Sequence, residues 1–231
     1  MYSREVAGQV LEFGVSGKLI MNVMVMYDRQ TNSLWSQLLG RAVEGSLVGE
    51  ELEFLPSWQT TWQDWKTRYP ETKVLVKGYR GLRDPYLSYY SSGQAGVIGE
   101  TSRDNRLNTK DFIIGVAVGD LAVVYPFRTL NDQPVINDLI GDQPVLVVFD
   151  AQNASGVVFD REVDGQILYF EAVGELQIRD DQSGSIWDGL TGTGISGDYA
   201  GAQLKRLKST TAFWFGWKDF YPESRVFGQE S

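Results

Sequence analysis

Asp28-Arg-Gln-Thr-Asn-Ser-Leu-Trp-Ser-Gln37 and Asp180-Asp-Gln-Ser-Gly-Ser-Ile-Trp-Asp-Gly189 are one segment written twice. They open a match that runs without a gap from residues 28–74 to residues 180–226. Trp35 falls on Trp187, Trp62 on Trp214, Trp65 on Trp217, Tyr69 on Tyr221 and Pro70 on Pro222, each 152 positions on. Upstream, the stretch from Arg4 to Gln9 falls on Arg161 to Gln166 at an offset of 157, so the first copy carries five extra residues in between. A repeat of this size means that each copy is one unit of fold, and it sets the architecture.

Each copy reads as short strands divided by turn residues. Gly115 to Tyr125 holds two apolar runs around Gly119-Asp120, a hairpin signature. Pro144 to Phe149 is a continuous apolar run of strand length. Val157-Val-Phe159 and Gln166 to Phe170 flank Asp164-Gly165 as a further expected hairpin, mirrored by Val6 to Phe13 around Ala7-Gly8. The segments 28–33 and 180–185 read as matching turns, each leading into the strand that holds the Trp.

One helix is expected to close each copy. Thr60-Thr61 can cap it, since a hydroxyl there accepts from an orphan backbone N–H. Trp62, Trp65 and Tyr69 follow at helical spacing, and Pro70 stops the helix. Val74-Leu-Val76 is read as a return strand. The second copy repeats this with a cap at Ser209 to Thr211. The aromatic positions are expected to form a core stripe in both copies.

The fold class expected is therefore mainly β with minor α: two tandem homologous modules, each a small antiparallel sheet or partly open barrel closed by one short helix. Residues 1–80 form the first repeat, 81–110 a linker loop rich in Gly, Ser and Tyr, and 111–231 the second, complete repeat. Residues 111–157, about 47 positions, precede the second copy and have no counterpart before the first. On one reading the first repeat is N-terminally incomplete, and its sheet presents unpaired edges; on the other it is genuinely pared down, with linker residues covering the edge.

Composition narrows the function classes. A net charge of −9 disfavours nucleic acid, which needs clustered Lys and Arg. The short basic cluster Lys205-Arg-Leu-Lys208 reads as the solvated side of a strand. The chain has no Cys and no His. Thiol nucleophiles, disulfides, Cys/His zinc sites and Ser-His-Asp triads are thereby excluded within it. No apolar run reaches the roughly 20 residues needed to span a membrane. There is no signal peptide at Met1 either. Seven Trp and an aromatic fraction of 13% describe a chain with a substantial packed core.

Several longer motifs resemble the bacterial and archaeal DUF3179 family, a family named for its unknown function. They are Phe13-Gly-Val-Ser-Gly17, Met26 to Gln37, Thr60-Thr-Trp-Gln-Asp-Trp65, Arg83-Asp-Pro-Tyr86, Val135-Ile-Asn-Asp138 and Ala212 to Trp217. The resemblance covers nearly the whole chain and implies a location outside the cytoplasm. It also implies a Cys-Pro-x-Cys segment just ahead of the stretch matching Met1. The second repeat has Asp150-Ala-Gln-Asn-Ala-Ser155 in that place, so any metal or redox role of such a segment is missing here.

Motifs for known cofactors are weak. Gly192-Thr-Gly-Ile-Ser-Gly197 matches a dinucleotide fingerprint in form, but no helix pattern opens on its third Gly, so it reads as a turn. Asp180 to Gly184 is read as a β-turn and not a calcium loop, because no terminal Glu follows at the needed spacing. No cofactor and no metal are therefore assigned.

Positions where the copies disagree are the better guide. Ser36, Gln37, Thr61, Asp64 and Arg68 are polar where the second copy has Asp188, Gly189, Phe213, Gly216 and Phe220. One reading is that the second copy buries this flank against its own extra strands. The other is a polar pocket in the first copy. Its candidate residues are Trp35, Ser36, Gln37, Thr60, Thr61, Asp64, Arg83, Asp84 and Tyr86. The function favoured is a non-catalytic binding or structural module with an unknown ligand or protein partner. The alternatives are an enzyme or metal/redox protein whose reactive segment lies outside this chain, and a subunit whose exposed edge in the first repeat receives a partner strand or a second copy.

Overall fold

The computed structural model describes residues 1–76 and 86–229. The two copies fold alike. In the first, Glu5–Val6 pairs with Gln9–Val10 across Ala7 and Gly8, both at positive φ. A four-stranded antiparallel sheet follows in chain order: Phe13–Ile20, Val23–Asp28, Leu34–Ser36 and Arg41–Glu44. In the second, Glu162–Val163 pairs with Gln166–Ile167 across Asp164 and Gly165, again at positive φ. The sheet Phe170–Ala172, Gln177–Asp180, Ile186–Asp188 and Gly194–Ser196 then repeats the first. Even the irregular pairing recurs, at Leu34/Trp35 and at Ile186/Trp187. The protein is mainly β with minor helix, and none of the sheets among the described residues closes into a barrel.

Ahead of the second copy lie strands that the first copy does not share among the described residues. The hairpin Phe112–Val118 with Leu121–Pro126 turns at Gly119 as expected. A short helix, Phe127–Asp132, follows and was not anticipated from the sequence. Next come Val135–Ile140, Gln143–Asp150 and Ser155–Asp160, a three-stranded sheet with Gln143–Asp150 at its centre. This corrects the expected pairing of Val157–Phe159, which joins Leu146–Val148 instead of Gln166–Phe170. The central strand is buried on both faces, with Val145, Val147 and Phe149 in one apolar cluster and Leu146 and Val148 in another. That two-sided burial explains its unbroken apolar run.

The helices close the two copies differently. Trp62–Arg68 is capped by Thr61, whose side chain accepts from the Asp64 N–H, and it ends before Pro70. The second helix, Trp214–Lys218, starts from Phe213 in extended backbone with no side-chain cap. The cap expected at Ser209 to Thr211 does not form because Thr210–Phe213 is a strand, paired antiparallel with Phe112–Gly115. On the far side of the hairpin, Arg225–Val226 pairs parallel with Val123–Val124. The hairpin Phe112–Pro126 is thus held between the stretches that flank the second helix, in the order Thr210–Phe213, Phe112–Val118, Leu121–Pro126, Arg225–Val226.

No such sheet accompanies the first helix among the described residues. Residues 55–60 and 72–76 are without strand or helix, which corrects the return strand expected at Val74–Val76. The core stripe is corrected in the same place: Trp214 and Trp217 are buried, whereas Trp62 is 50% exposed and Tyr69 is exposed too.

The basic cluster also departs from its reading. Lys205 to Lys208 is not in a strand. Arg206 lies over the rings of Trp58 and Phe159, at 4.8 and 5.2 Å, and Lys208 donates to the Leu39 carbonyl at 2.7 Å. Both tie the second copy to the first. Residues 86–110 are likewise anchored. Asn22 accepts from the N–H groups of Val97 and Ile98, and Arg106 donates to the carbonyls of Pro222 and Ser224.

Candidate functional site

The turns that open the sequence match are built around a buried carboxylate. In the first copy Asp28 accepts from the Thr31 N–H at 2.6 Å and hydroxyl at 2.9 Å, and from the Trp35 indole N–H at 3.0 Å. In the second, Asp180 accepts from the Ser183 N–H at 2.6 Å and hydroxyl at 2.8 Å, and from the Trp187 indole at 2.9 Å. Ser33 and Ser185 extend each network through their hydroxyls. Their Cα atoms lie against Gly45 and Gly197, both at positive φ, where a Cβ would stand 2.7 and 2.8 Å away. Phe13 and Phe170 then meet the Trp rings edge-on.

Burial by itself raises the pKa of Asp28 and Asp180. The hydrogen bonds from the indole, the turn N–H groups and the hydroxyl outweigh it and hold both carboxyls below the usual range. These carboxylates and both Trp rings are fully buried, with their polar atoms committed to one another. They are scaffold in both copies. Trp35 therefore has its one donor spent on Asp28, and Ser36 is buried with its hydroxyl accepting from the Leu39 N–H.

The other candidates gather at the first helix. The Thr60 hydroxyl donates to Asp64 at 2.7 Å, and Arg68 donates to the same carboxylate at 2.9 Å. Thr61 caps the helix and also donates to the Asn153 side chain at 2.7 Å. Thr60, Thr61, Asp64 and Arg68 thus form one polar flank, and the mismatch between the copies groups three of them, Thr61, Asp64 and Arg68. In the second copy the Thr61 position is Phe213, whose ring lies 4.4 Å from Phe112 on the extra hairpin. At that position the second copy packs against its extra hairpin, with Phe213 half-buried. Tyr86 sits at the start of the helix Leu87–Ser91, and Arg83 and Asp84 lie outside the described residues.

Gln37 stands apart from this flank, on a cleft of about 330 Å³ between the copies. Tyr2, Leu38, Phe54, Trp58 and Ala212 also line it. Burial pushes the Tyr2 hydroxyl up to about 12, and that hydroxyl donates to the Leu38 carbonyl. The indole N–H of Trp58 is buried without an acceptor among the described residues. Trp58 carried no signal in the sequence, because the second copy has Thr210 in its place and the pair is not part of the shared aromatic pattern. A larger concavity, about 960 Å³, is lined wholly by residues 93–111. Its carboxylates are engaged by cations, Glu100 by Lys218, Asp104 by Arg106 and Asp111 by Arg128.

The segment aligned with the expected Cys-Pro-x-Cys is a plain turn here. Asp150 accepts from the N–H groups of Gln152 and Asn153 and from the Asn153 amide. Among the described residues no group of His, Cys, Asp or Glu is arranged to hold a metal. No helix among them is long and apolar enough to cross a membrane. Gly192 to Gly197 forms a turn and a strand with no helix after it. A Cβ at Gly194 would stand 1.9 Å from the Tyr199 carbonyl oxygen, so that glycine serves local packing.

Comparison with curated proteins and with solved structures returned no match for this chain. Residues 1–224 match the family model described as protein of unknown function, DUF3179, and the chain belongs to that family.

Proposed function

We propose that this protein is a non-catalytic binding module that engages a protein partner through the helix Trp62–Arg68 and the segment after it. One observation carries the reading: Trp62 is 50% exposed where its counterpart Trp214 is wholly buried. A bare indole on a helix whose twin is covered is surface suited to a partner. Tyr69, Val74, Leu75 and Val76, in the same stretch of chain, are exposed as well. Thr60, Thr61 and Asp64 supply a polar margin beside it.

The test is hydroxyl-radical footprinting of the protein in its native cells and as a purified chain. Trp62 and Tyr69 are expected to be modified less in cells, while Tyr169, an exposed residue of the second copy, stays unchanged. Equal modification of Trp62 in both settings would defeat the reading.

A second reading has one observation behind it. The unpaired Trp58 N–H on the cleft suits a small ligand with a hydrogen-bond acceptor, and Gln37 lines the same space. Screening small acceptor-bearing compounds by Trp fluorescence tests it. Any hit must weaken in Trp58→Phe, which removes the donor and keeps the ring.

A further inference from the structure

The second copy shows what covers this kind of surface, and the first copy retains the residues that would receive it. Around the second helix, Thr210–Phe213 pairs with one strand of the hairpin Phe112–Pro126, and Arg225–Val226 pairs with the other. Trp217 packs on the hairpin at Gly115, where a Cβ would stand 2.5 Å from the indole ring. The matching residues of the first copy are Trp58–Thr61, Lys73–Val74 and Trp65.

The local frame between those residues is the same in both copies. The Trp65 indole donates to the Thr72 hydroxyl at 2.9 Å, as Trp217 does to Ser224 at 2.9 Å. The rings of Trp65 and Tyr69 are 4.5 Å apart, as are those of Trp217 and Tyr221. The first frame nevertheless has no strand on either side among the described residues, and Val74, Leu75 and Val76 are 61, 80 and 87% exposed. Three successive exposed apolar residues with unpaired backbone are a template for strand addition.

We propose that this face receives a β-hairpin supplied from outside residues 1–231, of the same kind as Phe112–Pro126. The proposal rests on the protein-partner reading above and names the partner's chemistry. One strand of the hairpin runs antiparallel to Trp58–Thr61, and the other runs parallel to Lys73–Val74. The strand beside Trp58–Thr61 carries Gly where it crosses Trp65, because a side chain there meets the indole. The face of the hairpin turned to the helix is apolar, as in Ile113, Ala117, Ala122 and Val124.

The chain has no cysteine, so disulfide trapping reads the register cleanly. The protein is the full chain with Val74→Cys. The probe is a peptide with the sequence of residues 111–127, bearing either Val124→Cys, the partner of Val226 in the second copy, or Leu121→Cys, three residues out of register. A cyclised version of each peptide guards against a hairpin that does not form alone. Trapping at Val124→Cys is expected to be about tenfold faster than at Leu121→Cys, since out-of-register Cα atoms lie beyond disulfide reach. Gly115→Val in the peptide is expected to abolish the difference. Equal rates at both registers, indifference to Gly115→Val, or no trapping with the cyclised peptide would each overturn the hairpin. So would a chain that is dimeric by light scattering with Val74 buried, since a second copy would then be the occupant. Protection of Trp62 in cells without peptide trapping overturns the hairpin alone and leaves the binding reading standing.

Discussion

The helices Trp62–Arg68 and Trp214–Lys218 share a Trp-x-x-Trp core, the following Tyr and Pro, and the hydrogen bond from the second Trp to a hydroxyl seven residues on. They differ in what lies beneath them. Trp214 and Trp217 pack with Ile113, Val124 and Val226 in one apolar cluster. Trp65 instead has Trp58 at 5.8 Å and Tyr69 at 4.5 Å, and no residue of its helix is buried. The same local sequence therefore makes a core element in one setting and a surface element in the other. Burial of an amphipathic helix is decided by the sheet brought to it, not by its own pattern.

The largest expected effect separates the two Trp residues at that position. Trp217→Ala should cost about 3–5 kcal/mol, the usual range for emptying a buried Trp site. Trp65→Ala should cost well under half of that, roughly 1 kcal/mol, because only part of its surface leaves water. Urea unfolding of both variants measures the gap, and equal losses would break the comparison.

The buried carboxylates give the opposite pattern, since they are alike in both copies. Asp28→Ala and Asp180→Ala should each cost about 2–3 kcal/mol, because each strands a buried indole N–H and a hydroxyl. A marked inequality between them would show that the two turns are not equivalent supports. The same groups set an acid limit. Their folded pKa values are lowered, so their stabilisation is complete above the ordinary carboxylate range and is lost as pH falls through the folded values. Denaturation midpoints measured from pH 6 down to pH 2 should therefore decline, and Asp28→Asn should flatten that decline.

The smallest effect is at the helix cap. Thr61→Ala should cost about 1 kcal/mol by removing the acceptor for the Asp64 N–H. Phe213→Ala, at the equivalent position, should cost more through its lost stacking on Phe112. Thermal denaturation of the pair sharpens the contrast between a solvated flank and a packed one.

Much of the fold was legible in the chain. The turns at Ala7-Gly8, Gly119 and Asp164-Gly165 require left-handed backbone, and each is where the hairpin bends. The stripe Trp62, Trp65, Tyr69 marked a helix correctly, but periodicity does not say whether a covering sheet is present. Val157–Phe159 was assigned to the wrong partner because an apolar run looks alike whichever neighbour it pairs with. The candidate site was legible in part. The mismatch between copies grouped Thr61, Asp64 and Arg68, which do share one flank, whereas Trp35 and Ser36 turned out to be spent within the core. The role of Asp28 and Asp180 was missed, although an Asp seven residues before a Trp in both copies was the available signal.

Hydrogen exchange of the purified chain tests the central claim most directly. Amides of Val74, Leu75 and Val76 should exchange at nearly unprotected rates. The Phe227 amide, which donates to the Val124 carbonyl at 2.9 Å, should be strongly protected. Equal protection of the two segments would show that the first helix already has its covering strands, and the account of a bare copy beside a covered one would be wrong.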